Sequence, residues 1–184
     1  MKKWLLALGL TGALVLAGCN GDTEEGTDAD TENQTEDTTE NQENDEQKVK
    51  KELLSAQMAL TNTFKPYQQK ISAYQSAVSA EEPDAEAIQT AAEEAKTAAS
   101  EASTMVDDYT IEADLPEDVM TKLEETLPSL QAYYEGVEKA LNENMENADF
   151  TAAEEKFTEF NDQFNEILKE AGFPATPNLM EEMS

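Results

Sequence analysis

Residues 49–78, VKKELLSAQMALTNTFKPYQQKISAYQSAV, decide the fold class of this chain. Apolar side chains recur in this stretch at steps of three and four residues, at Val49, Leu53, Ala56, Leu60, Phe64, Tyr67, Ile71, Tyr74 and Val78. Such spacing places them along one side of an α-helix. The stretch therefore predicts a long amphipathic helix, which Pro66 kinks because proline removes one backbone hydrogen bond.

Three further stretches carry the same helical spacing, at residues 88–109, 115–141 and 150–167. Breaks rich in proline, aspartate and asparagine separate them, and no segment alternates with the period of two that a half-buried strand requires. Four apolar stripes joined by short connections predict an all-α fold, an antiparallel up-down four-helix bundle over residues 48–172.

The predicted core of this bundle is uneven. The second stripe is mostly alanine, whereas the fourth is mostly phenylalanine, so small residues should pack against large ones and fix the register. Pro128 lies inside the third stripe and predicts a second kink. Because the first and third helices of such a bundle run parallel, we expect Pro66 and Pro128 to open a shared gap at mid-height.

The ends of the fourth helix are marked by residues with clear preferences. Asp149 predicts an N-cap, with Thr151 and Glu154 offering a competing capping box. Gly172 stands where glycine commonly ends a helix. Residues 173–184 predict a loose C-terminal tail, from which Phe173 and Leu179 dock on the bundle.

An acidic linker, residues 19–47, precedes the predicted bundle. Positions 20–47 hold twelve acidic residues and no basic one, and Ala29 is their only apolar residue besides glycine. A segment of this composition buries too little apolar surface to offset its ordering entropy. We predict a disordered tether that lifts the bundle away from its point of attachment.

The first 18 residues have the layout of a secretory signal: two lysines, an apolar core from Trp4 to Leu16, and small residues at the end. The apolar core is too short to span a bilayer. The run Leu16-Ala17-Gly18-Cys19 resembles the lipobox of bacterial lipoproteins. That resemblance implies removal of residues 1–18, attachment of diacylglycerol and other acyl chains such as palmitate to Cys19, and anchoring at the extracytoplasmic face of the cell membrane. The linker resembles those of lipoproteins from Bacillus-type bacteria, which favours a Gram-positive surface.

Composition excludes several functions. The chain has 184 residues, a net charge of −29, no histidine and no arginine. Without histidine there is no Ser-His-Asp triad and no histidine-bound metal site, and lipidation would consume the single cysteine. Without a basic surface, nucleic acid is not an expected partner. We predict no enzymatic activity, no cofactor, no metal site and no catalytic residue, with Cys19 as the one assigned site, for lipid attachment.

The remaining classes are binding functions. The leading prediction is a non-catalytic binding or scaffolding role at the cell surface, with a cell-wall or surface protein as partner. One alternative is a cation-binding or cation-buffering protein that uses exposed carboxylates. Another is a holdase-like accessory protein that requires an exposed apolar groove. Five tyrosines favour core rings with hydroxyls at the surface over a ligand pocket. Since Tyr133 and Tyr134 are adjacent, we expect one of them to be peripheral.

Overall fold

A computed structural model describes the backbone of residues 36–184 and the side-chain surroundings of residues 44–184. This part of the chain contains no strand, and its helices are α1 (Glu36–Val78), α2 (Ala85–Asp107), α3 (Glu117–Glu124), α4 (Leu127–Glu143), α5 (Thr151–Glu170) and α6 (Leu179–Met183). The predicted all-α class is therefore confirmed. The signal, Cys19 and the linker up to residue 35 lie outside the described residues.

Helix α1 begins earlier than the sequence indicates. It starts at Glu36, so residues 36–47, which were predicted as disordered linker, are helical. The propagation of an existing helix accounts for the difference. Once residues 48–78 have formed a helix, each added residue gains a hydrogen bond without a new nucleation cost.

The two prolines act differently, and both are exposed. Helix α1 continues through Pro66. Pro128 instead lies in the first turn of α4, so residues 115–141 form two helices, and the prediction of one kinked helix is wrong. A first helical turn has no need of the missing N–H. Thr126 closes α3 by donating its hydroxyl to the Leu123 carbonyl at 2.7 Å. The predicted gap shared by Pro66 and Pro128 required a single third helix, so that prediction is wrong as well.

Capping residues set the ends of α5. Gly172 has φ of +80°, and the amides of Gly172 and Phe173 donate to the carbonyls of Lys169 and Leu168, which forms a Schellman motif. At the other end Asp149 accepts from the Thr151 amide at 3.0 Å, but the helix begins one residue later than an Asp149 cap predicts. Phe150 takes the N-cap position, and its own side chain makes no capping hydrogen bond.

The core follows the predicted contrast between small and large residues. Helix α2 packs against both α1 and α4, and α4 packs against α5. The buried face of α2 is alanine at positions 92, 95, 99 and 102, whereas α5 contributes Phe157, Phe160 and Phe164. At the contact between α4 and α5, Gly136 lies so close to Ala153 that a Cβ at position 136 would lie 2.9 Å from the Ala153 Cβ.

The C-terminal segment, residues 177–184, is ordered on the domain. Leu179 and Met183 lie one helical turn apart in α6, and both are fully buried. Helix α6 packs against α1. The predicted docking of Leu179 is confirmed, and the prediction of a loose tail is wrong for this segment. The segment stays in place because it has apolar side chains to bury and a groove that accepts them.

Candidate functional site

Polar residues interrupt the apolar faces of α1 and α5 where the C-terminal segment lies. On α1 they are Gln57, Thr61 and Gln68, each buried to nine-tenths or more. On α5 they are Asn161 and Asn165, which are one helical turn apart. Buried amides cost free energy unless they are hydrogen-bonded. These two sets of residues, called the polar rows below, therefore require hydrogen-bond partners.

The C-terminal segment supplies several of those partners. The Leu179 amide donates to Asn161 Oδ1 at 3.0 Å, and Asn165 Nδ2 donates to the Pro177 carbonyl at 3.1 Å. On the opposite side Gln57 Nε2 donates to Glu182 Oε2 at 3.0 Å. The segment is thus held by side-chain amides of both helices. The two asparagines bond its backbone rather than its side chains.

A cleft of about 480 Å³ lies beside the segment, between α1 and α5. Its volume falls in the usual range for ligand sites. The lining is mostly amide and hydroxyl side chains with two aromatic rings, and among the described residues Glu154 is the one charged side chain in it. Gln75 Nε2 donates to Glu154 Oε1 at 3.2 Å, which joins α1 to α5 at one side of the cleft. The principal lining residues are Gln68, Ser72, Tyr133, Glu154, Phe157 and Asn161.

Tyr133 and Gln68 form the best-defined polar contact of the cleft. The Tyr133 hydroxyl donates to Gln68 Oε1 at 2.8 Å, and both side chains are almost fully buried. Burial raises the pKa of Tyr133 well above its ordinary value, and the bond to Gln68 opposes that shift only in part. With Oε1 occupied, Gln68 has its two N–H groups left to donate to a ligand in the cleft.

Tyr134 is also buried, so the prediction that one of the two adjacent tyrosines is peripheral is wrong. Its ring stacks on Phe64 of α1 at a centroid distance of 5.9 Å, while the Tyr133 ring meets Phe157 of α5 at 5.1 Å. Helix α4 is covered from more than one side, and two adjacent residues can therefore both be core. The Tyr134 hydroxyl has no hydrogen-bond partner among the described residues, and burial raises its pKa.

The other tyrosines do not join Tyr133 at the cleft. Tyr74 accepts from the Ala148 amide at 2.7 Å and so braces the connection before α5. Tyr67 and Tyr109 are half-buried around Phe64. Tyr67 also lines a separate groove between α1 and α2, where Lys70 pairs with Glu94 at 2.6 Å and Glu93 and Glu101 add further charge. That groove therefore has more charged side chains in its lining than the cleft has.

Observations that bear on cations and on apolar grooves come from the described residues alone. Within residues 44–184, no three His, Cys, Asp or Glu side chains gather closely enough to hold a metal ion. The large apolar side chains exposed in the same range are Leu54, Met58 and Met105. None of the described helices has an apolar stretch long enough to cross a membrane. Cys19, the predicted lipid site, is outside the described residues.

The polar residues on the buried faces of α1 and α5 also recur at helical spacing in the sequence, but the stronger apolar periodicity makes this pattern hard to notice. Gln57, Thr61, Gln68 and the exposed Gln75 follow each other at steps of four or seven residues beside the apolar stripe of α1. Asn161 and Asn165 do the same on α5. Polar residues repeated at helical spacing along a buried face indicate where water or another polar group contacts the helix. Comparison with protein families, curated proteins and solved structures finds no match for this chain.

Proposed function

We propose that this chain is a lipid-anchored protein of the extracytoplasmic face of a bacterial membrane, with a non-catalytic binding role. Its helical domain presents the cleft between α1 and α5 to an uncharged polar ligand at the cell surface. Cys19 carries the lipid, and the acidic linker separates the anchor from the binding domain.

The proposed architecture is an antiparallel four-helix bundle of α1, α2, α4 and α5. Its support is the order of contacts, in which α1 meets α2, α2 meets α4, and α4 meets α5. The connection from α1 to α2 is short, and Asp84 caps α2 by accepting from the Ala87 amide at 2.8 Å. Short connections between consecutive helices favour antiparallel neighbours.

The observation that carries the binding role is the scarcity of charged side chains in the cleft. The chain has 41 acidic residues among 184, yet among the described residues Glu154 is the one charged side chain in the cleft lining. Amide and hydroxyl groups orient polar ligands in protein sites, and aromatic rings supply apolar contact area there. A purely solubilising surface would give no reason for carboxylates to be so few in this concavity.

Mass spectrometry of the mature N-terminus tests the anchor. We expect a chain that begins at Cys19 and carries the mass of diacylglycerol, and the variant Cys19→Ala should be released into the medium. A mature chain that retains Trp4, or an unmodified Cys19, would contradict lipidation.

Blocking the cleft tests the binding role. Ser72 lines the cleft, whereas Ser76 is exposed one turn later on the same helix. We expect Ser72→Phe to fill the cleft and Ser76→Phe to leave it open. On intact cells, cell-surface molecules should cross-link to the anchored wild type and to S76F but not to S72F. Equal retention by S72F would place the binding surface elsewhere.

A further inference from the structure

The C-terminal segment, residues 177–184, lies in the groove between α1 and α5 as a ligand would. We propose that this groove is a peptide-recognition site, and that the segment is an internal occupant that a segment of another polypeptide displaces. The incoming segment would be an extended residue or two followed by a short helix with two apolar side chains four residues apart. This proposal does not depend on the ligand of the neighbouring cleft.

The hydrogen bonds that α5 makes to the C-terminal segment are to the backbone of the segment. Asn161 and Asn165 bond an amide and a carbonyl two residues apart, on Leu179 and Pro177. Because these contacts ignore side-chain identity, another peptide in the same conformation would make them equally well. Asn165 Oδ1 is buried and has no partner among the described residues, so an acceptor is available to a ligand with one more N–H group.

The specificity of the groove comes from two apolar positions. Leu179 and Met183 are both fully buried and stand on one face of α6, as residues four apart on a helix must. Glu182 faces the rim, where Gln57 bonds its carboxylate and Lys65 Nζ donates to its carbonyl at 3.0 Å. Helix-in-groove recognition uses the same combination of spaced apolar anchors and a polar rim.

The segment is held in a way that allows release. Helix α6 has five residues, which is far too short to be stable away from the groove. Residues 174 and 175 of the preceding connection are exposed. Release of the segment uncovers the part of the core that Leu179 and Met183 bury, and an incoming segment with two apolar side chains would cover it again.

Charge argues against a second copy of this chain as the occupant. Each copy carries a net charge of −29, so two copies repel one another. A partner that is neutral or basic outside the two apolar anchors avoids this repulsion. We therefore assign the groove to a segment of a different polypeptide.

Cutting the folded chain tests the proposal without requiring a truncated protein to fold. A protease site placed at residues 174–176 is cleaved after folding, and the released segment is removed by gel filtration. A fluorescent peptide of residues 173–184, FPATPNLMEEMS, then serves as the probe. We expect saturable binding by anisotropy to the cut chain. If the peptide binds the cut chain with a Kd of about 10 μM and the tethered segment competes at an effective concentration of order 1 mM, the uncut chain should bind the peptide about 100-fold more weakly.

Two probe variants sharpen the result. A peptide with Leu179→Ser should bind at least about tenfold more weakly, because a buried leucine is lost, whereas Ala175→Ser should bind like the parent peptide. Absence of binding to a cut chain that keeps its helical circular dichroism would overturn the proposal, as would equal affinity of cut and uncut chains. A dimer of the uncut chain that exchanges segments would make a second copy the occupant instead.

Discussion

Helix α5 meets its two neighbouring helices in opposite ways. Against α4 the contact is direct and apolar, with Gly136 almost touching Ala153 and phenylalanines filling the adjoining space. Toward α1 the polar rows replace apolar ones, and the C-terminal segment and the cleft occupy the space between. The comparison shows that two helices pack directly where small residues let them approach and aromatic rings fill the adjoining space. A buried face carrying amides keeps its neighbour at a distance, where other groups can bind.

The largest effect is expected where packing is direct. Phe160→Ala removes a fully buried ring from α5 and should lower the free energy of unfolding by about 3–5 kcal/mol. Urea unfolding followed by circular dichroism measures the loss. Met58→Ala is the control, because Met58 is 62% exposed and its truncation should change stability by less than about 0.5 kcal/mol. Similar losses for the two variants would contradict the assigned core.

The close approach of α4 and α5 gives the next effect. Gly136→Ala should destabilise the domain by about 1–3 kcal/mol, since its Cβ overlaps Ala153 although alanine favours helix formation. Adding Ala153→Gly removes the opposing Cβ and should restore part of the loss. A stabilised G136A variant would show that the two helices are further apart than described here.

The two adjacent tyrosines provide a matched pair for the polar side. Tyr133→Phe removes the hydroxyl that Gln68 accepts from, and should cost about 1 kcal/mol. Tyr134→Phe removes a hydroxyl without a partner among the described residues, and should be neutral or slightly stabilising. Thermal unfolding of the two variants gives the comparison. A larger loss for Y134F than for Y133F would reverse the assigned roles.

Alkaline pH gives the smallest effect within the range where most proteins are handled. The folded pKa of Tyr133 and of Tyr134 is raised by burial, so their contribution to stability is complete below the unfolded pKa near 10 and declines as pH rises toward the folded pKa. Between pH 8 and pH 10 the loss should be less than about 0.5 kcal/mol for each tyrosine.

Absorbance at 295 nm follows this ionisation directly. In urea Tyr133 and Tyr134 should titrate near the ordinary pKa of tyrosine, whereas in the folded chain they should ionise only as the domain unfolds. Ionisation of both at their ordinary pKa in the folded chain would show that α4 is open to solvent.

Much of the helical content was predictable because apolar periodicity is local information. The stripes of α1, α2 and α5, the alanine face and the Gly172 terminus all follow from neighbouring residues. The early start of α1 was missed because composition argues for disorder while an existing helix favours its own extension. The division of residues 115–141 into two helices was missed because the apolar spacing is the same whether the helix is kinked or interrupted before Pro128. The site was missed because a glutamine within an apolar face resembles an ordinary polar interruption.

The sequence by itself determined the all-α class, the faces that the helices bury, and the prediction of a lipid-bearing Cys19 ahead of an acidic linker. These depend on residue type and on spacing within one helix. Only the tertiary structure decided that Tyr133 and Tyr134 are both core, and that residues 177–184 lie between α1 and α5 beside a cleft lined mostly by uncharged polar side chains. Periodicity states which face of a helix is buried, but what covers that face depends on contacts between residues distant in the chain.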